Sequence, residues 1–183
     1  MSRPRFALLD ASHGADHTPR NFRRELAADL VEYDVNEGAL PPDFDVDGVV
    51  ITGSRSSVYW DEPWIDALVN WVAEAAARGL PILGVCYGHQ VLATALDGRV
   101  EAMDDIELGY RTIDRVDDDD QLLAGLDDPF TAFETHSDRV VELPPGATLL
   151  AENDRGVQAF RRGACWGVQF HPEYDRDSAA RVT

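Results

Sequence analysis

The chain has 183 residues, 34 acidic against 16 basic side chains, and 44% hydrophobic content. That size fits one domain burying roughly 70% of its unfolded surface, and the composition argues against disorder. A net charge of −18 argues against nucleic acid or a membrane surface as partner, because attraction to phosphate has the wrong sign.

The first apolar run, Phe6 to Leu9, is too short for a signal peptide and reads as a buried strand closed by Asp10. Asn21 to Leu30 reads as a helix with Thr18 as cap and Pro19 in the first turn. Val31 to Val35 alternates like a second strand, and Val46 to Thr52 is a continuous buried-strand run stopped by Gly53. Asp61-Glu62-Pro63 opens an amphipathic helix through Arg78, with Trp64, Ile65, Leu68, Val69, Val72 and Ala76 on one side. Pro81 to Val85 is the next strand and Gly88 to Leu96 the next helix. Alternating apolar strands and helices predict an α/β fold, an open and mostly parallel twisted sheet with helices on both faces. From Val100 the segments shorten: Tyr110 to Val116, Phe130 to Glu134, Arg139 to Leu143, Thr148 to Ala151, Val157 to Phe160 and Cys165 to Phe170. These predict an antiparallel extension of the same domain. No run approaches the ~20 apolar residues of a membrane span, and two distant cysteines make no disulfide framework, so a cytoplasmic protein is expected.

All 16 basic residues are arginine, and Asp117 to Asp120 form an unbroken acidic run. Such self-repulsion is relieved by counterions, which resembles cytosolic proteins of salt-accumulating halophiles. An ordinary acidic protein with solvated faces is the alternative.

Two segments carry chemistry. In Leu83-Gly84-Val85-Cys86-Tyr87-Gly88-His89-Gln90 a cysteine stands where a strand turns into a helix, at the sheet's carboxyl end. Gly84 and Gly88 remove side chains where strand, turn and helix crowd. A helix amino end favours the thiolate, and its N–H groups, Tyr87 foremost, can hold an oxyanion. Taken alone, the cysteine reads equally well as a small buried hydrophobe. The second segment is Gly167-Val168-Gln169-Phe170-His171-Pro172-Glu173. Pro172 holds His171 extended, so His171 and Glu173 face one side, as a base and its orienter would. Cys165 lies in a strand-like segment and reads as core. His13, His17 and His89 read as surface or turn residues.

Together these motifs resemble the class I (triad) glutamine amidotransferases, in the GMP-synthase-like branch, over nearly the whole chain. The resemblance implies a flavodoxin-like sheet, Cys86 as nucleophile, His171 as base and Glu173 as orienter. Glutamine would form a γ-glutamyl thioester and release ammonia, with no cofactor. Gln90 matches a position that contacts the amino-acid end of the substrate. Gly53 and Ser54 stand where the family's oxyanion loop lies, with Ser54-Arg55 in place of Gly-Pro. Thr135, His136, Ser137 and Asp138 resemble the "His-x-Asp" segment, whose backbone meets the substrate's main chain, and Glu107-Leu108-Gly109-Tyr110 resembles Glu-Phe-Gly-Tyr. No metal is expected, since no second His or Cys stands at ligand spacing from His136. The chain carries no ATP-binding loop, so a separate synthetase would accept the ammonia. A stand-alone γ-glutamyl hydrolase and a non-catalytic interaction module are the competing readings. The segment after Glu173 is shorter than the family's closing helix, so a shortened C-terminus is expected.

Overall fold

In the first strands, successive residues sort to opposite faces. In β1 (Arg5–Asp10), Ala7 and Leu9 join one apolar cluster while Leu8 joins the other. In β3 (Gly48–Ile51), Val49 and Ile51 separate from Val50 in the same way. A strand covered on both faces has no polar side, which explains its continuous apolar sequence. The first cluster is roofed by Ile65, Leu68 and Val72 of α2 (Pro63–Ala77) and by Val91 and Leu92 of α3 (Tyr87–Ala95). The second holds Phe22 of α1 (His17–Glu25).

The computed structural model describes residues 3–117 and 119–183, so Met1, Ser2 and Asp118 of the acidic run lie outside the described residues. Among the described residues, nine strands form one sheet with four α-helices. The remaining elements are β2 (Asp29–Asp34), β4 (Ile82–Val85), β5 (Arg99–Arg115), β6 (Phe130–Glu142), β7 (Thr148–Asn153), β8 (Gly156–Arg162), β9 (Cys165–Val168) and α4 (Arg176–Val182). The order is β2-β1-β3-β4-β9-β8-β7-β5-β6. Pairings from β2 to β9 are parallel, and those from β9 to β6 antiparallel.

This topology places the site. The last strand inserts beside β4, with Val85 opposite Val168, and the Cys86 N–H donates to the Val168 carbonyl at 2.8 Å. The turns that follow β4 and β9 therefore emerge side by side at the carboxyl end of the parallel strands, where open α/β sheets bind ligands.

Several boundaries differ from the sequence expectation. Helix α1 ends at Glu25, not Leu30, because the chain is already extended at Leu26 and β2 pairs with β1 from Asp29. Thr18 is not its cap: it is buried inside the first turn, Asp16 holds the cap position, and no side chain caps it. The two segments expected at Phe130 to Glu134 and Arg139 to Leu143 are one strand, β6. Its partner β5 absorbs the irregularity through a register shift between Ala102 and Glu107.

Candidate active site

The turn after β4 is tight. Cys86 has φ 54° and ψ −106°, a conformation that costs a non-glycine residue about 1–3 kcal/mol and persists only where its surroundings enforce it. They do so at backbone contact. A methyl on Gly84 would lie 2.2 Å from the Gly88 carbonyl oxygen, and one on Gly88 would lie 2.3 Å from that of Ile51. The thiol lies 3.7 Å from the Thr135 carbonyl and is nearly buried.

Opposite, the His171 Nδ1–H donates to Glu173 Oε1 at 2.8 Å, and both side chains are buried. The His171 ring lies over Tyr174, with centroids 4.2 Å apart, and its backbone N–H is held by the Phe133 carbonyl at 2.9 Å. Burial alone would push the imidazole pKa down; Glu173 and Cys86 beside it hold it well above its ordinary value. Gly53 lets the two groups meet: a methyl there would lie 3.7 Å from Cys86 Cβ and 3.0 Å from His171 Cε1. Behind this turn, Arg24 of α1 donates to the Glu173 carbonyl at 2.6 Å and to Asp175 at 2.7 Å. Nothing in the sequence marked Arg24, which lies 149 residues from Glu173.

Eleven of the residues singled out from the sequence line one cavity of about 440 Å³, namely Gly53, Ser54, Cys86, Tyr87, Gln90, Thr135, His136, Ser137, Asp138, His171 and Glu173, and Glu107 lies outside its lining. Gln90 Nε2 donates to the Asp138 carbonyl at 3.1 Å. The Asp138 carboxylate accepts from Ser57 Oγ at 2.5 Å and Tyr59 OH at 2.8 Å, tying the loop after β3 to β6.

A buried polar cluster underlies Thr135. The His136 Nδ1–H donates to the Asp138 carbonyl at 2.9 Å, and Nε2 lies 3.0 Å from Glu107 Oε2 and 3.3 Å from Glu134 Oε2. Burial opposes charge on His136, but bonds to the two carboxylates raise its pKa to about 10. Burial also opposes ionisation of Glu107, yet His136 and Asn153 hold its carboxyl below the usual range; burial dominates at Glu134 and pushes it up. Glu107, Glu134 and His136 are also a set of metal-ligating groups, their donor atoms within 4.8 Å of one another. Resemblance to the family's motifs singled out only His136 and the Glu107 segment; Glu134 joins them because β6 brings residues two apart to one face, opposite β5.

Cys165 is core, as its sequence suggested. His89 is not a surface residue: it is fully buried against Phe160, where Gly167 leaves room for the ring, and burial lowers its pKa to about 3.

The model of class I glutamine amidotransferases matches residues 15–180. The chain belongs to that family. It is similar to the glutamine-hydrolyzing GMP synthase of Thermomicrobium roseum, with 40% identity over 79% of this chain and 26% of that protein. It is also similar to one subunit of the glutamine-hydrolyzing GMP synthase of Halobacterium salinarum, with 35% identity over 91% of this chain and 87% of that protein. The chain thus spans about a quarter of the first relative and most of the second. The fold matches that of a solved glutamine amidotransferase from Thermotoga maritima, with a TM-score of 0.82 and 23% identity over 99% of this chain and 81% of that one. This amidotransferase is therefore GMP-synthase-like.

Proposed function

We propose that the chain hydrolyses glutamine through a γ-glutamyl thioester on Cys86 and passes the ammonia to a separate synthetase of the GMP-synthase type. The observation that carries the reading is the His171–Glu173 bond of 2.8 Å on the turn beside Cys86. His171 Nε2 takes the thiol proton as sulfur attacks the side-chain carbonyl carbon, and returns it to the nitrogen as the C–N bond breaks. Glu173 fixes the ring through Nδ1 and stabilises its charge. The N–H groups of Tyr87 and Ser54 serve the developing oxyanion. Water, deprotonated by His171, then splits the thioester to glutamate and the free thiol. Gln90 and the Thr135–Ser137 backbone hold the amino-acid end. The chain acts in the cytoplasm; among the described residues no helix is long and apolar enough to cross a membrane.

The test is release of glutamate and ammonia from glutamine, with and without a synthetase chain and its nucleotide. Cys86→Ala should abolish turnover by several orders of magnitude at unchanged melting temperature; Cys165→Ala should stay active. A Cys86→Ala rate even a tenth of wild type overturns the mechanism.

A second reading, hydrolysis of other γ-glutamyl compounds by the chain alone, is favoured by one observation: Arg55 replaces the family's proline and lines the cavity. Fast cleavage of a γ-glutamyl peptide with poor use of glutamine would select it.

A further inference from the structure

Between β3 and α2 the chain runs from Thr52 to Glu62 without helix or strand. Ser54, whose N–H serves the developing oxyanion in the reading above, stands near the start of this loop. Ser54-Arg55-Ser56-Ser57 holds no proline to fix a φ angle, so bonds to neighbouring elements have to set its shape. At the root of the loop, Thr52 Oγ1 accepts from the Ala11 N–H at 2.9 Å. In its middle, Ser56 Oγ meets His13 Nε2 at 2.8 Å. Further on, Ser57 Oγ and Tyr59 OH donate to one carboxylate, that of Asp138, at 2.5 Å and 2.8 Å.

The two ends of this last tie differ. Asp138 is buried in β6 and paired with Ala102 of β5. Its carbonyl accepts from Gln90 Nε2 of α3 at 3.1 Å and from the His136 Nδ1–H at 2.9 Å. Strand, helix and buried cluster thus fix Asp138, and the irregular loop is the part that is held. Both carboxylate oxygens are engaged by the loop, Oδ2 by Ser57 and Oδ1 by Tyr59. Hydrogen bonds to a carboxylate are about twice as strong as neutral ones. One residue therefore joins two parts of the site. Its carbonyl meets Gln90, assigned above to the amino-acid end of the substrate, and its carboxylate meets the loop that carries Ser54.

We propose that Asp138 is a positioning residue for the oxyanion. Its carboxylate latches the loop after β3, so that the Ser54 N–H points at the carbonyl oxygen as sulfur attacks. The proposal rests on the Cys86 thioester chemistry above and adds the group that keeps one of its donors in place. A donor displaced by about 1 Å costs about a hundredfold in rate. Ground-state binding, made by other groups, is kept.

The experiment measures glutamate release from glutamine by wild type, Asp138→Ala, Asp138→Asn, Ser57→Ala and Tyr59→Phe. In Asp138→Ala, kcat should fall about a hundredfold while KM stays within about threefold. Asp138→Asn keeps one acceptor oxygen and should lose less, about tenfold. Ser57→Ala and Tyr59→Phe should each lower kcat, and neither should add to the loss in an Asp138→Ala background. A second readout needs no turnover. Iodoacetamide alkylates the Cys86 thiolate without forming an oxyanion, whereas a chloromethyl ketone replacing the side-chain amide of glutamine brings a carbonyl to the oxyanion position. The ratio of chloroketone to iodoacetamide rates should fall about tenfold or more in Asp138→Ala, so a chain silent without a synthetase still decides the question. A wild-type kcat in Asp138→Ala, a raised KM at constant kcat, or equal losses with both reagents would overturn the latch and leave the thioester reading standing. Activity retained by Cys86→Ala would remove both. If Asp138→Ala fails to fold, Ser57→Ala and Tyr59→Phe carry the test, and wild-type kcat in both overturns it.

Discussion

Two of the imidazoles that line the cavity, His171 and His136, divide the work between moving a proton and holding one. In the proposed reaction His171 exchanges its proton at Nε2, while Glu173 fixes Nδ1 at 2.8 Å. His171→Ala should cost nearly as much kcat as Cys86→Ala, and Glu173→Gln less, because the amide still orients the ring but no longer stabilises its charge. Single-turnover rates of glutamate release compare the variants, and an unchanged rate in Glu173→Gln would remove Glu173 from its place behind the base. His136 is bonded at both nitrogens, and its pKa, raised to about 10, lies above the ordinary 6.5. A raised folded pKa means the stabilisation is complete below about pH 6.5 and is lost as pH climbs through the folded value. The melting temperature of wild type should therefore fall faster between pH 7 and about 10 than that of His136→Gln. Parallel curves for the two proteins would show that the imidazole is neutral in the fold.

At the scale of elements, the contact between α3 and the sheet is where fold and chemistry share atoms. Gly88→Ala drives a methyl into the Ile51 carbonyl at 2.3 Å, backbone against backbone. The helix has to shift, at a cost of about 1–3 kcal/mol, carrying the Cys86 elbow with it. Melting temperature and activity should both drop. Gly53→Ala instead presses on the His171 ring, 3.0 Å away, so activity should drop at nearly constant melting temperature. If Gly88→Ala melts like wild type, the close approach of α3 to β3 is wrong. These glycines were readable because each brackets a local string, and the same holds for the Cys86 elbow and His171-Pro172-Glu173. The apolar runs of β1, β3 and β4 were equally plain. Less was legible where pairing over distance decides. Residues 101, 102 and 104–106 of β5 are exposed and show no alternation; 101 and 102 have partners on β6, while 104–106 fall in the register shift before Glu107. Register also places Glu107 opposite His136, and with it the whole buried cluster. Arg24 stayed hidden because its partners, the Glu173 carbonyl and Asp175, lie about 150 residues away in the chain, and a main-chain oxygen leaves no mark in side-chain chemistry.

Across the whole molecule, charge is the dominant condition. The net charge of −18 is carried without lysine, and the recorded Arg–carboxylate pairs other than those of Glu107 and Asp120, among them Arg23–Glu32, Arg78–Glu74 and Arg99–Glu142, are between exposed or half-exposed side chains. Exposed pairs contribute about 0–1 kcal/mol each, too little to offset surface repulsion reaching about 30 Å at 10 mM salt. In molar salt that range falls to about 3 Å, so the melting temperature should climb steeply from millimolar to molar KCl. Comparison with an equally strong but less excluded salt separates screening from enhanced apolar burial. A flat curve between about 0.1 and 2 M would mean an ordinary acidic surface.

Arg24 gives that salt dependence a second edge. It ties α1 to the Glu173 carbonyl and to Asp175, which also caps α4 through the Ser178 N–H at 2.8 Å. The pair with Asp175 lies between side chains 39% and 42% exposed, so the ions that quiet the surface also loosen this tether behind the general base. Robustness and turnover should then have separate optima, with the rate peaking at a KCl concentration where the melting temperature is still rising; rate and melting temperature followed over one KCl series check this, and coincident optima would overturn it. An organism fixing its internal salt would settle between the two, and exchanging the pair for an uncharged contact would bring them together.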